Sequence, residues 1–218
     1  EGDNVSRVGN EDDGYDNMTA GINLNYAATT EHTFIANLRT VQYENDYDGT
    51  DFVITGLPVD ADNVTDGSQI SAKLKWEFAP ENPSYHSALS AHYRKDENDN
   101  TESGTDTGGT TGERIELNWT GFYTIDNWDF AGGVEYLQRL FDQRGPIVFG
   151  DPNQKQHDNT YSVFVEANSQ LTESLTATLS ARFDNNSEFD NAVSYRGGLT
   201  WQLNEHYAVF TSYGRAVK

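Results

Sequence analysis

Hydrophobic and polar residues alternate with a period of two through most of this chain. Between Gln69 and Phe78, Ile70, Ala72, Leu74, Trp76 and Phe78 interleave with Gln69, Ser71, Lys73, Lys75 and Glu77. Successive side chains of a β-strand point to opposite faces, so the segment reads as a strand with one apolar and one polar face. The same alternation runs through Met18–Tyr26, Phe34–Arg39, Tyr85–Arg94, Arg114–Tyr123, Trp128–Tyr136, Thr160–Asn168, Leu175–Phe183 and Val193–Leu203, and a further strand starts at Tyr207. The pattern predicts about ten strands, with part of an eleventh at the start of the chain.

The connections alternate as well. Short ones fall at Ala28–His32, Ala79–Ser84, Thr124–Asn127, Ser169–Glu173 and Asn204–His206; longer ones fall at Glu44–Gly67, Lys95–Gly112, Arg139–Asp158 and Asn185–Asn191. This predicts up-and-down hairpins with the long loops gathered at one end. The polar face carries Lys73, Lys75, Arg114, Glu116, Glu166, Arg182 and Arg196 in mid-strand, charges that a packed sandwich core does not accept. The apolar face is bounded by rings. Tyr26, Trp76, Phe78, Tyr85, Tyr123, Trp128, Trp201 and Tyr207 lie near the short turns; Tyr93, Tyr136, Tyr161, Phe183, Tyr195 and Tyr213 lie near the long loops. Aromatic girdles at both edges of an apolar band mark membrane interfaces. Strands of about nine residues, tilted by about 40°, reach across roughly 23 Å, close to the height of such a band. The expected fold class is therefore all-β: an antiparallel up-and-down transmembrane β-barrel segment. The competing reading is a soluble sheet or sandwich with one wet face.

Composition narrows the function. Asp and Glu number 35 against 14 Lys and Arg, a formal charge of −21, which argues against a general nucleic-acid surface. There is no cysteine, so disulfides and thiolate chemistry are excluded. Aromatic residues reach 12% of the chain, too many for a disordered acidic segment. No apolar run is long enough for a transmembrane helix, a test that barrel strands never meet.

Candidate chemistry is mostly acidic. Loop Glu44–Gly67 contains Glu44, Asp46, Asp48, Asp51, Asp60, Asp62 and Asp66 without Lys or Arg, and Asp46-Tyr-Asp48-Gly-Thr-Asp51 sets carboxylates around a glycine turn. Hard cations such as calcium take six to eight oxygen ligands, which such a loop supplies. Glu11, Asp12 and Asp13 precede the strand that pairs with the one entering this loop, so the two acidic groups should meet at one end of a hairpin. The bland alternative is a solvated acidic loop. A second acidic loop, Lys95–Gly112, has no compact ligand spacing and reads as solvated. His157-Asp158 stands where a loop meets a strand, the kind of pair with which an outer-membrane barrel protease would activate water. His32, His86, His92 and His206 are scattered, and no nucleophile elbow, phosphate loop or zinc motif occurs. Phe141, Ile147, Val148 and Phe149 are apolar residues in loop Arg139–Asp158; they read as packing over a barrel mouth, the alternative being contact with a hydrophobic or aromatic ligand.

Three segments carry a family resemblance: Ser180-Ala-Arg-Phe-Asp-Asn-Asn-Ser-Glu-Phe-Asp190, Gly197-Gly-Leu-Thr-Trp201 and Thr211-Ser-Tyr-Gly-Arg-Ala-Val-Lys218. They resemble the mid-barrel region of TonB-dependent outer-membrane receptors. Gly9-Asn-Glu-Asp-Asp-Gly-Tyr15, Asn23-Leu-Asn-Tyr26 and Tyr43-Glu-Asn-Asp-Tyr-Asp-Gly49 are similar to the cobalamin branch of that family. The resemblance implies a 22-strand type of barrel in a Gram-negative outer membrane, of which residues 1–218 would be an internal piece without the plug or the N-terminal segment that engages TonB. It implies uptake of a scarce nutrient, cobalamin first and an iron chelate second, with outer-membrane lipid and lipopolysaccharide around the barrel and no catalysis. It also implies calcium: Glu11 and Asp13 match one ligand pair of the cobalamin receptors and Asp51 and Asp62 later ones. The expected metal ligands are Glu11, Asp13, Asp46, Asp48, Asp51 and Asp62. The rival functions are the barrel protease and a soluble calcium-binding β-protein.

Overall fold

The computed structural model of the chain describes residues 14–50, 54, 56–82, 84–148 and 150–217. The part-strand expected at the start of the chain falls in 1–13, outside the described residues. Ten strands are present: β1 (Tyr15–Ala27), β2 (His32–Thr50), β3 (Pro58–Phe78), β4 (Tyr85–Glu102), β5 (Thr105–Ile125), β6 (Trp128–Arg144), β7 (Gln154–Thr172), β8 (Leu175–Asn186), β9 (Ala192–Gln202) and β10 (Ala208–Arg215). They form one antiparallel sheet in chain order. Each strand contacts its sequence neighbours only, so β1 and β10 are open edges among the described residues.

Register carries the alternation from strand to strand. Leu24 faces Ala36, Ala36 faces Leu74, Leu74 faces Ala91, Ala91 faces Leu117, Leu117 faces Tyr136 and Tyr136 faces Tyr161. A shift of one residue in any hairpin would send that strand's apolar set to the polar face, and none of the pairings within this band is shifted. The rings of the short-turn edge touch one another: His32 stacks on Trp76 at 5.7 Å, and Phe78 meets Tyr85 edge-on at 6.1 Å. At the opposite edge Tyr136 meets Tyr161 at 5.0 Å.

Nothing among the described residues covers the apolar face. Among the described residues only Val41 and Ala177 are buried hydrophobic side chains, while Leu24, Leu74 and Leu179 are each more than half exposed. The accessible surface is 15335 Å², against about 10,000 Å² for a compact soluble protein of this mass. A sandwich would bury its apolar faces between two layers, so this single layer does not fit the soluble alternative.

The ends of the strands differ from expectation. Segments Glu44–Gly67, Lys95–Gly112 and Arg139–Asp158, which the hydrophobic pattern predicts as loops, are largely strand: β2 runs to Thr50, β3 starts at Pro58, β4 and β5 meet at Glu102–Thr105, and β6 and β7 extend to Arg144 and from Gln154. Past the apolar band both faces are wet, so hydrophobic periodicity vanishes while the backbone ladder continues. The β4–β5 hairpin closes on Ser103 and Gly104, both with positive φ, 51° and 74°, the two-residue turn whose twist matches that of the flanking strands. At the other end Asp126 also takes a positive φ of 52°, and Asn127 donates to Ser169 Oγ at 3.1 Å and the Gln170 carbonyl at 2.7 Å, tying the turn to β7.

Candidate functional site

The polar face of the sheet is the candidate site. Its charges are not isolated. Lys75 meets Glu77 at 2.6 Å, Arg94 grips Asp96 through Nε at 2.7 Å and Nη2 at 2.9 Å, and Arg139 grips Asp158 across β6–β7. Arg182 joins three strands, donating to Glu135 on β6 at 2.5 Å, to Ser162 on β7 at 2.8 Å and to Asp184 on its own strand at 2.8 Å. Asn118 donates to the other oxygen of Glu135 at 2.9 Å. A concavity of about 410 Å³ lies among Lys73, His92, Arg114, Glu116, Glu135 and Arg182.

His92 stands in a chain of hydrogen bonds across β3, β4 and β5. Its Nε2 meets Ser71 Oγ at 3.0 Å, its Nδ1 meets Glu116 Oε2 at 3.3 Å, and Glu116 is also held by Arg114. The order is that of an acyl-transfer triad, but Ser71 pairs with Arg39 on one side and Arg94 on the other. The backbone amides around it are therefore engaged in ladders and leave no oxyanion donors. The chain acts as a strut between strands. His157 and Asp158, adjacent in β7, point to opposite faces: His157 meets Gln138 at 3.0 Å and Asp158 meets Arg139. They do not converge on a shared water.

A glycine makes a cross-strand bond possible. Tyr43, Gly67 and Asn98 lie in one register row of β2, β3 and β4. The Tyr43 hydroxyl donates to Asn98 Oδ1 across the strand between, and a Cβ on Gly67 would fall inside the Tyr43 ring.

Past the apolar band lies a row of acids. Asp16, Glu44, Asp66 and Asp99 face one another directly across β1–β4, an arrangement that is destabilising for like charges. Arg144 relieves one end, donating to Asp99 at 2.6 Å and Asp106 at 2.5 Å and so joining β6 to the β4–β5 hairpin. The hydrogen bond from Arg144, and then the amide of Gly108, hold the Asp106 carboxyl below its ordinary pKa.

Of the six expected metal ligands, Glu11, Asp13 and Asp51 lie outside the described residues. Asp46 and Asp48 stand at the end of β2, and Asp62 on β3. Tyr47 pairs with Asn63 and Gly49 with Val59, so Asp48 alone opposes the three residues 60–62 at a bulge. Asp48 Oδ2 is buried without a hydrogen-bond partner among the described residues. The Asp46 amide donates to the Gly14 carbonyl at 2.9 Å, bringing the start of β1 to this end. Among the described residues no three carboxylates or imidazoles converge as a metal-holding group.

The row of basic residues on the polar face emerges only from the strand registers. Arg39, Ser71, Arg94, Arg114 and Arg139 occupy one register row from β2 to β6. Each residue is visible in the sequence, but their alignment depends on four hairpin registers that hydrophobic alternation fixes only in parity.

The family model described as TonB dependent receptor-like, beta-barrel, matches residues 2–218. No curated protein matches the sequence. Among solved structures, the siderophore receptor PirA from Acinetobacter baumannii is similar with a TM-score of 0.73 at 18% identity, over 93% of this chain and 34% of that one. The ferric-catecholate import receptor Fiu from E. coli K12 is similar at 0.72 and 11%, over 92% and 46%. The RagAB peptide transporter is similar at 0.69 and 12%, over 93% and 33%. The chain thus spans between a third and a half of these proteins. At such identities the likeness concerns the fold, and it is the family match over nearly the whole chain that decides membership: the protein belongs to the TonB-dependent receptor-like β-barrel family.

Proposed function

We propose that this chain forms part of the wall of a Gram-negative outer-membrane receptor that takes up a scarce nutrient, an iron chelate before cobalamin, in a TonB-dependent manner. The observation that carries the reading is the sheet itself. One face is apolar, uncovered and edged by rings; the other is charged and braced; the strands run on past the apolar band at one end only. Lipid and lipopolysaccharide would lie against the apolar face and a small ligand would pass the polar one. The iron chelate takes precedence because PirA is a siderophore receptor and Fiu imports ferric catecholate. The test is uptake by Gram-negative cells that lack their own receptors and express the full-length gene product. TonB-dependent accumulation of radiolabelled iron chelate is expected. Accumulation of cobalamin alone would return the assignment to that branch, and accumulation of neither would contradict nutrient uptake of this kind.

Calcium binding at the β2–β3 end is a second proposal. Its support is the Asp48 oxygen beside the bulge, without a hydrogen-bond partner among the described residues, the acidic row beneath it and the meeting of Gly14 with Asp46. Glu11, Asp13, Asp46, Asp48, Asp51 and Asp62 would supply oxygens. In the full-length protein, calcium is expected to slow hydrogen exchange through residues 44–50 and 61–67. The double change Asp48→Asn with Asp51→Asn should abolish that effect while membrane insertion persists. Exchange that ignores calcium would leave the acidic end a solvated surface.

A further inference from the structure

The register of the polar face sets cations side by side in a chain whose net charge is −21. Arg39, Arg94, Arg114 and Arg139 share one row, interrupted only by Ser71 on β3. Lys73 sits next to it, facing Asn37 and His92. Acids on this face answer three of the five cations: Asp96 binds Arg94, Glu116 binds Arg114 and Asp158 binds Arg139. Arg39 and Lys73 have no acidic partner among the described residues. All four arginines are exposed.

Like charges directly opposite on adjacent strands cost stability, and Arg94 faces Arg114, which faces Arg139. The fold places its like-charged acids on the opposite side and past the apolar band, where Asp16, Glu44, Asp66 and Asp99 align. Four arginines are thus aligned in one row on the ligand side. The row also climbs across the sheet. At β2 it lies behind Leu38, within the apolar band; at β6 it lies beside Gln138 and Leu140, past the Tyr136 ring. The side chains form an inclined track that starts at the end with the extended strands.

We infer that this row is a binding track for a small multivalent anion. The inference rests on the receptor reading above and sharpens it: among iron chelates, the row selects anionic over neutral complexes. Guanidinium groups present paired donors that suit catecholate, carboxylate or phosphate oxygens. Arg39 and Lys73 supply the unneutralised charge, and the paired arginines keep donor positions that their single carboxylates do not fill.

The probes are a ferric tris-catecholate, which is trianionic, and a ferric tris-hydroxamate, which is neutral. Binding is measured on cells that express the full-length receptor and lack TonB, so that binding is read without transport. TonB-dependent uptake by the unaltered receptor checks the receptor reading separately. Arg39→Gln and Arg114→Gln are each expected to weaken tris-catecholate binding about tenfold and to flatten its dependence on salt. Any binding of the neutral chelate should be unchanged. If both variants bind the tris-catecholate as the unaltered receptor does, the track is refuted while the receptor reading stands. If binding of both probes falls equally and the melting temperature falls with it, the row braces another part of the receptor and the proposal is refuted. A receptor that transports only a neutral ligand refutes it too, and one that takes up no chelate refutes both readings.

Discussion

At the residue scale, the side of the sheet decides what a position accepts. Leu117 is 46% exposed in the chain yet lies in mid-band between Ala91 and Tyr136. In the proposed membrane-embedded receptor a charged side chain there would leave water for hydrocarbon, whereas the neighbouring parity already carries charge. Leu117→Arg in the membrane-inserted receptor is expected to lower stability by about 2–4 kcal/mol, and Thr200→Arg on the polar face by less than about 1 kcal/mol, as read from denaturant unfolding in bilayers. Equal costs at the two positions would refute the lipid-facing assignment. This two-sidedness was legible in the sequence, because Ile70, Ala72, Leu74 and Trp76 alternate with Ser71, Lys73 and Lys75 without exception. The Tyr43–Gly67–Asn98 bridge was not. Nothing in the spacing of those three residues shows that β2, β3 and β4 bring them into one row.

At the element scale, the β-strands outlast the signal that predicted them. Thr110 and Asp99 carry no apolar alternation, so the segment around them reads as loop, yet hairpin pairing continues to the Ser103–Gly104 turn. What keeps such an extension ordered is backbone pairing and a few polar ties, foremost Arg144 with Asp99 and Asp106. Asp106 has a lowered pKa in the folded protein because Arg144 donates to its carboxylate. A depressed carboxylate stabilises the fold fully above its ordinary value of about 4 and loses that contribution as pH falls through the lower folded value. Hydrogen-exchange protection of residues 105–111, corrected for intrinsic rates, should therefore fall below about pH 4. In Arg144→Gln protection should already be lower at neutral pH and the acid step smaller. A step of undiminished size in that variant would mean that another carboxylate governs it. The acidic metal-site expectation illustrates the same limit of sequence reading. Short odd spacing in Asp46–Asp51 was legible, but the bulge that sets Asp48 against residues 60–62 comes from a register shift that composition does not encode.

At the scale of the whole molecule, the proposed receptor sets an apolar face against lipid and a polar face against water. Among the described residues the sheet has two open edges, its surface far exceeds that of a soluble protein of its mass, and edge strands exposed to lipid leave backbone groups unsatisfied. Both features are explained if the ten strands are one arc of a larger closed barrel, as their likeness to about a third of PirA implies for the fold. The measurement that tests this most directly is a nitroxide scan along β4, in the full-length protein in outer-membrane lipid, with single cysteines placed in turn from Leu89 to Tyr93. This chain has no cysteine of its own to interfere. The account predicts a period of two: Leu89, Ala91 and Tyr93 accessible to oxygen dissolved in the bilayer, Ser90 and His92 accessible to a water-soluble nickel chelate or shielded from both. Accessibility to the nickel chelate at Leu89, Ala91 and Tyr93, with no oxygen maximum at those positions, would contradict it.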